Sequence, residues 1–405
     1  MQRSLFTYLD KNSLTLDLFE AYYSCRKNKR NKRNALAFEL NFESELFKLS
    51  DELLQGIYQP SPSTAFIVTK PVKREIFAAS FRDRVVHHYL INKLNPYFEK
   101  LFIKDSYACR ENKGTHYGVS RVYGFIKNYP NKNNSYVLKL DIEGFFMHIN
   151  KEILFKKLQG FINRFYKLDD KIFILELLHI IIFNNPVQDC LIKGSKLDWH
   201  GLPPNKSLFY SPRNCGLPIG NLTSQVFANF YMHEFDVFIT KKLNIKNYGR
   251  YVDDFVLIHD DNNYLKQILP KIDDYLSCYL HLKLHPKKIY FQGLERGMKF
   301  LGVVIKSNRL YIGNRTKGNF HQAIYNYNQL ILHNEPNKSD IQGFIATMNS
   351  YLGLLKHYNT FYLKKRLLFK ISSNWYQWVH LDIKENKFNR IKSKQVKKIP
   401  VQFAR

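Results

Sequence analysis

The chain has 405 residues, 45% hydrophobic and 15% aromatic, which is too apolar for general disorder and enough for a large core in two or three subdomains. Its 62 Lys and Arg against 34 Asp and Glu give a net charge of +28, implying a polyanionic partner held largely by counterion release. No apolar run reaches the roughly 18 residues of a spanning helix, since the best, Phe173 to Phe183, is broken by Glu176 and His179; no membrane is expected. Residues 1–10 lack a signal peptide's apolar core, and the cysteines (Cys25, Cys109, Cys190, Cys215, Cys278) are odd in number with no Cys-x-x-Cys. A reduced, cytoplasmic setting is expected.

In chain order, residues 14–58 read as helical, with a basic stretch between two amphipathic pieces that carries Arg26, Lys27, Lys29 and Arg30. It is either a solvated face or a nucleic-acid contact, uncompensated by acids until Glu39. Residues 66–77 read as two strands joined at Lys70-Pro71, a hairpin edged with Lys70, Lys73 and Arg74 that would suit a flap over a triphosphate. Phe81 opens a helix. A polar loop from Asp105 to His116 carries Arg110 and Lys113, and another helix runs to about Lys127.

The β-type run Tyr136–Leu140 ends on Asp141, and Asn150 is placed to cap the next helix. Residues 184–213, with four prolines and Trp199, form a long irregular insertion of the kind that carries function or meets a partner. Gly216-Leu-Pro-Ile-Gly-Asn-Leu-Thr-Ser-Gln225 follows, where Gly216 and Gly220 allow close backbone approach and Asn221 can cap the helix. Residues 248–258 read as a hairpin lifting Asp253 and Asp254 to its tip. An Asp-Asp pair is ordinarily a solvated turn, but Asp141 at a second strand end makes a three-carboxylate cage suited to two Mg2+ ions, with Mn2+ able to replace them. A helix from about Leu265 to Leu282 comes next, and from Lys317 onward the pattern is helical. Residues 361–405 carry 12 Lys and Arg, Lys364, Lys365 and Arg366 among them, against Asp382 and Glu385.

Five blocks in this order resemble the reverse transcriptases: Asp141-x-x-x-Phe-Phe, Gly216-Leu-Pro-x-Gly, Tyr251-Val-Asp-Asp, His285-Pro-Lys-Lys and Phe300-Leu-Gly. The match covers roughly residues 60–310. Ile219-Gly-Asn-Leu-Thr-Ser-Gln225 looks like the enzymes of diversity-generating retroelements, and Phe81-Arg-Asp-Arg, Asp105-Ser-Tyr-Ala-Cys-Arg, Pro203-Pro-Asn-Lys-Ser-Leu-Phe209 and Ser350-Tyr-Leu-Gly agree with it.

The resemblance implies an α+β right-hand polymerase. An N-terminal helical basic extension would occupy residues 1–60, fingers 61–130, a ferredoxin-like palm 131–312 with the insertion 184–213, and a helical thumb with a basic tail 313–405. It assigns Asp141, Asp253 and Asp254, with the Ile142 carbonyl, to metal, and Lys288 to protonation of the leaving pyrophosphate. Lys70, Lys73 and Arg74 would meet the dNTP triphosphate, and Ile219 and Gly220 the nucleotide. Phe146 would be an aromatic gate under the sugar, or else core. Expected partners are a structured template RNA, its cDNA, dNTPs and a small basic accessory protein.

Three competing readings bear on function. An RNA-dependent RNA polymerase would favour a polar residue where Phe146 excludes a 2′-hydroxyl. An idle RNA-binding scaffold would not retain three close, unneutralised acids. A phage-defence reverse transcriptase on a non-coding RNA template keeps the chemistry and changes the biology. Four acids after residue 310 cannot furnish an RNase H domain.

Overall fold

A computed structural model describes residues 9–27, 29–70, 72–129 and 135–391. It divides into two compact units, one of residues 1–114 and 138–291, the other of residues 115–137 and 292–405.

The first unit opens with helix α1 (Lys11–Arg26), capped by the Asp10 carboxylate, which accepts from the Ser13 N–H at 2.8 Å. Leu14, Leu18, Ala21, Tyr22 and Cys25 recur at helical spacing and are buried. Helices α2 (Arg33–Glu39) and α3 (Phe42–Leu54) complete this piece, and Thr15 and Ser50 hydroxyls meet at 2.9 Å inside it. Strands β1 (Thr64–Val68) and β2 (Arg74–Ala78) pair antiparallel from Thr64 opposite Ala78 to Val68 opposite Arg74. Pro71, where the sequence places the turn, lies outside the described residues. Helix α4 (Phe81–Leu101) starts at Ser80, whose hydroxyl accepts from the Asp83 N–H, and packs against α1.

Helix α5 (Thr115–Lys127) belongs to the second unit. Strand β3 (Tyr136–Asp141), the single turn α6 (Phe145–His148) and the packed pair α7 (Lys151–Phe165) and α8 (Lys171–Phe183) follow; Asn150 caps α7, accepting from the Ile153 N–H at 2.9 Å. The insertion is mostly irregular, as expected, but not structureless. Its strand β4 (Leu191–Ile192) runs parallel to β1, and three short 3-10 turns span Lys196–Trp199, Pro204–Lys206 and Leu208–Tyr210.

Helices α9 (Leu222–Tyr231) and α10 (His233–Val237) lead to strands β5 (Asn247–Tyr251) and β6 (Asp254–His259), then α11 (Asn262–Leu280) and β7 (Tyr290–Gly293). The sheet order is β5-β6-β3-β7. With β3, β5, β6 and β7 counted first to fourth this is the 4-1-3-2 order of a ferredoxin-like fold, the palm the sequence implies. Asn221 does not cap α9: its side-chain oxygen accepts from the Ala79 N–H at 3.1 Å, tying α9 to the end of β2.

In the second unit, β8 (Met298–Phe300), β9 (Val303–Lys306) and β10 (Arg309–Ile312) form an antiparallel sheet on which α5 packs. Helices α12 (Asn314–His333), α13 (Lys338–Leu355) and α14 (Phe361–Leu368) follow. The helical pattern expected from Lys317 onward ends there. Strands β11 (Val379–Asp382) and β12 (Lys387–Arg390) form a hairpin instead, because Asn349 gives and receives hydrogen bonds with the Phe388 backbone and draws that ring under Trp375 and Phe344. Phe344 and Trp375 stack at 4.2 Å in the middle of this core. Among the described residues no helix is long and apolar enough to cross a membrane.

Candidate active site

Strand alternation and one tight turn bring the carboxylates together. In β3, Lys139 and Asp141 are two residues apart and share a face. In the β5–β6 hairpin Tyr251 opposes Asp254, so Val252 and Asp253 form a two-residue turn. Such a turn needs positive φ, and Val252 supplies it at +58° despite its branched side chain. The conformation is held from below: Arg250, fully buried, donates to the Val252 carbonyl at 3.0 Å. Its guanidinium is itself locked by Asp236, at 2.6 and 2.7 Å, with Asn229 and Ser106 completing its bonds and the Tyr248 hydroxyl on the same aspartate. Gly249 is required beside it, because a Cβ there would stand 2.3 Å from the Tyr107 hydroxyl.

The two strand ends are tied directly by the Ile142 N–H, which donates to the Asp253 carbonyl at 3.2 Å. Burial, with the charge of Asp141 adding to it, pushes the Asp253 carboxyl up to about 6. Burial does the same to Asp254, also up to about 6, against the opposing pull of Lys139. Lys288, about half exposed on the short turn Pro286–Lys288, donates to Asp141 Oδ1 at 2.7 Å, and Lys139 pairs with Asp254 Oδ2 at 3.0 Å. Arg74 also lies within electrostatic reach of Asp253.

The sequence groups the three acids as a cage. Among the described residues, however, no three His, Cys, Asp or Glu side chains close into a formed metal site; lysines stand on Asp141 and Asp254 and balance their charge. The donor set still fits a divalent cation. It is all oxygen, Asp254 Oδ1 is buried without a hydrogen-bond partner, and the raised carboxyls are ones that a hard cation would relieve.

The remaining candidates separate into two groups. Phe146 and Ile219 come together, packing half-buried against one cluster of Ala65, Phe77, Met147 and Leu208. The Ile219 carbonyl accepts from the Phe77 N–H at 2.8 Å, and Gly220, at φ +126°, lies where a Cβ would meet Ile76 at 2.9 Å. Lys70 and Arg74 are exposed on the hairpin, whereas Lys73 donates to the His200 carbonyl at 2.7 Å.

The expected nucleic-acid contacts fare unevenly. Arg110 is a correction: its side chain is 4% exposed and is consumed by Glu99 and the carbonyls of Ile103 and Ser106, so it braces the loop. Lys113 donates to the Lys104 carbonyl, Arg26 pairs with Glu39, and Lys364 donates to Asn386. Lys27, Arg30 and Arg366 are exposed, with Lys29 and Lys365 partly so.

Sequence reading passed over three residues that matter here. Lys139 was legible from its two-residue offset from Asp141. Arg250 and Glu75 carry no local signal of their roles; only tertiary structure shows that both are buried.

Fold and site together define an enzyme of the right-hand polymerase class. A family model described as "Reverse transcriptase (RNA-dependent DNA polymerase)" matches residues 70–305, more than half the chain. The chain therefore belongs to the reverse transcriptase family, a family of RNA-directed DNA polymerases. Protein YkfC of Escherichia coli K12 is 22% identical over 303 residues, spanning 66% of this chain and 73% of that protein. Apo telomerase from Candida tropicalis superposes with a TM-score of 0.47 at 14% identity, over 76% of this chain and 58% of that one. Telomerase from Candida albicans, in complex with a TWJ fragment of telomeric RNA, gives 0.43 at 14% identity, over 78% and 60%. The chain thus spans less than two thirds of these telomerase chains.

Proposed function

We propose that this protein copies a structured RNA template into cDNA, joining dNTPs to a primer 3′-hydroxyl, and that it does so as the error-prone enzyme of a diversity-generating retroelement. The observation that supports the polymerase reading is the joining of the β3 end to the β5–β6 turn by the Ile142–Asp253 bond, with Asp141, Asp253 and Asp254 near enough to act on one another electrostatically. Two divalent cations held by these carboxylates and the Ile142 carbonyl would supply charge neutralisation at the α-phosphate and at the leaving pyrophosphate.

The chain's own residues do the rest. Arg74 and Lys70 meet the triphosphate, and Lys73 joins them on leaving the His200 carbonyl. Lys288, whose bond to Asp141 supports this role, gives a proton to the leaving pyrophosphate. The half-buried Phe146 ring occupies the space a ribose 2′-hydroxyl would need. Exposed basic residues of each unit, Lys27 and Arg30 in the first and Arg366 in the second, hold RNA and cDNA, and a small basic accessory protein is a further partner. A cytoplasmic setting is part of this reading, supported by the cysteine usage.

The retroelement assignment rests on Ile219-Gly-Asn-Leu-Thr-Ser-Gln225. An aliphatic residue at 219 packs under Phe77 and offers no side-chain hydrogen bond to the nucleotide, a loss of about 0.5–1.5 kcal/mol of discrimination, or roughly two- to tenfold. The test is cDNA synthesis on one RNA template by wild type and Ile219→Gln, with errors scored by template base. The resemblance to diversity-generating enzymes implies misincorporation opposite template adenines, so errors concentrated at adenine that fall about two- to tenfold in the variant are expected. An unchanged adenine error rate removes Ile219 from fidelity, and no templated synthesis at all removes the polymerase reading.

A further inference from the structure

Glu75 is an acid buried to 1% exposure on a strand whose neighbour, Arg74, is exposed. Three donors converge on its carboxylate, all from the insertion: Trp199 Nε1 at 2.6 Å, the Ser207 hydroxyl at 2.6 Å and the Leu208 N–H at 2.5 Å. The same stretch reaches outward twice more. The His200 carbonyl accepts from Lys73, and Asn205 Nδ2 donates to Glu143 at 2.9 Å, two residues beyond Asp141. Trp199 and Leu208 also belong to the apolar cluster on which Phe146 and Ile219 rest.

We infer that residues 199–208 form a brace for the nucleotide pocket, and that Glu75 is a positioning residue that aims Arg74 at the triphosphate. The inference rests on the polymerase reading above for what Arg74 meets. Strand geometry makes the connection: successive side chains point to opposite faces, so locking Glu75 inward turns Arg74 outward, on the side where it acts on Asp253. A carboxylate accepting three hydrogen bonds in a dry site holds one rotamer, and hydrogen bonds to a charged group are among the stronger ones. Asn205 on Glu143 fixes the other end of the brace to the turn that follows Asp141, so hairpin and carboxylates share one support. Glu75 touches no reacting atom in this scheme and acts only through Arg74.

The experiment uses the full chain bound to a primer–RNA template, with equilibrium dATP binding, RNA affinity and the unfolding midpoint measured for wild type, Trp199→Phe, Glu75→Gln, Arg74→Ala and the Trp199→Phe/Arg74→Ala double variant. Trp199→Phe keeps the ring in the cluster and removes one donor; dATP binding should weaken about three- to tenfold while RNA affinity and midpoint stay near wild type. The double variant should bind dATP no more weakly than Arg74→Ala alone, because the brace works through that arginine. Unchanged dATP binding in both Trp199→Phe and Glu75→Gln, or additive losses in the double variant, would overturn the inference. Wild type that binds dATP but does not extend the primer defeats the polymerase reading and leaves the brace standing.

Discussion

Two buried polar knots support the site, and they differ in how much of each is local along the chain. Under the β5–β6 turn, Arg250 meets Asp236, 14 residues away, and Tyr248 meets the same aspartate at a separation of 12. Under the β1–β2 hairpin, Glu75 meets Trp199, Ser207 and Leu208 across 124 to 133 residues. The first knot joins a full charge to a full charge close by in sequence with neither exposed, and Ser106 adds a neutral contact across 144 residues. The second is one charge met by neutral donors from an insertion. The difference teaches that the carboxylate turn rests on an ion pair close to it in sequence, whereas the β1–β2 hairpin rests on a separate brace supplied by the insertion.

The comparison breaks most sharply at Arg250. Arg250→Met leaves Asp236 charged, buried and without its main partner, so a loss of about 3–5 kcal/mol in unfolding free energy is expected. Denaturant unfolding reads this directly. A loss no larger than that of Trp199→Phe would show that the two knots are equivalent.

Next in size is a pH effect confined to the first region. Burial raises the folded-state carboxyls of Asp253 and Asp254 from 3.8 to about 6, so between these values the folded chain holds more protons than the unfolded one. Stability from this pair is full below the unfolded value and declines as pH rises through 6. In chelator, wild type should lose on the order of 2 kcal/mol more than the Asp253→Asn/Asp254→Asn variant between pH 4 and 7. Parallel stability curves for the two proteins would contradict the burial of these carboxylates.

A smaller effect sharpens the second region. Phe146→Ala opens the floor shared with Ile219, so incorporation of rNTP relative to dNTP should rise about tenfold, the scale of one lost steric or packing contact. An unchanged ratio would make Phe146 a core residue alone.

How much of this was legible in the sequence follows the same division. Strand periodicity located β3, β5 and β6, and with them Asp141, Asp253 and Asp254, because period-two patterning is local. Asn150 as a cap was legible for the same reason. Asn221 failed as a cap because a more distant donor, the Ala79 N–H, claimed its oxygen. Arg110 failed as an RNA contact because Glu99, one helix back, neutralises it in a buried setting that net charge cannot register. The hairpin at 379–390 was hidden by its basic composition, and Asn349 and Trp375 hold it through contacts distant in sequence. Glu75 stayed hidden because its donors lie in a segment readable only as irregular.

The central claim is that the carboxylates at the β5–β6 turn and the β3 end perform RNA-templated nucleotide addition. Primer extension on an RNA template by wild type and Asp253→Asn, with unfolding midpoints recorded alongside, tests it most directly. Wild type should extend the primer with dNTPs, and Asp253→Asn should lose extension while keeping a midpoint equal to or above that of wild type, since the near-isosteric change removes only a buried charge. Full extension by a folded Asp253→Asn variant would contradict the claim.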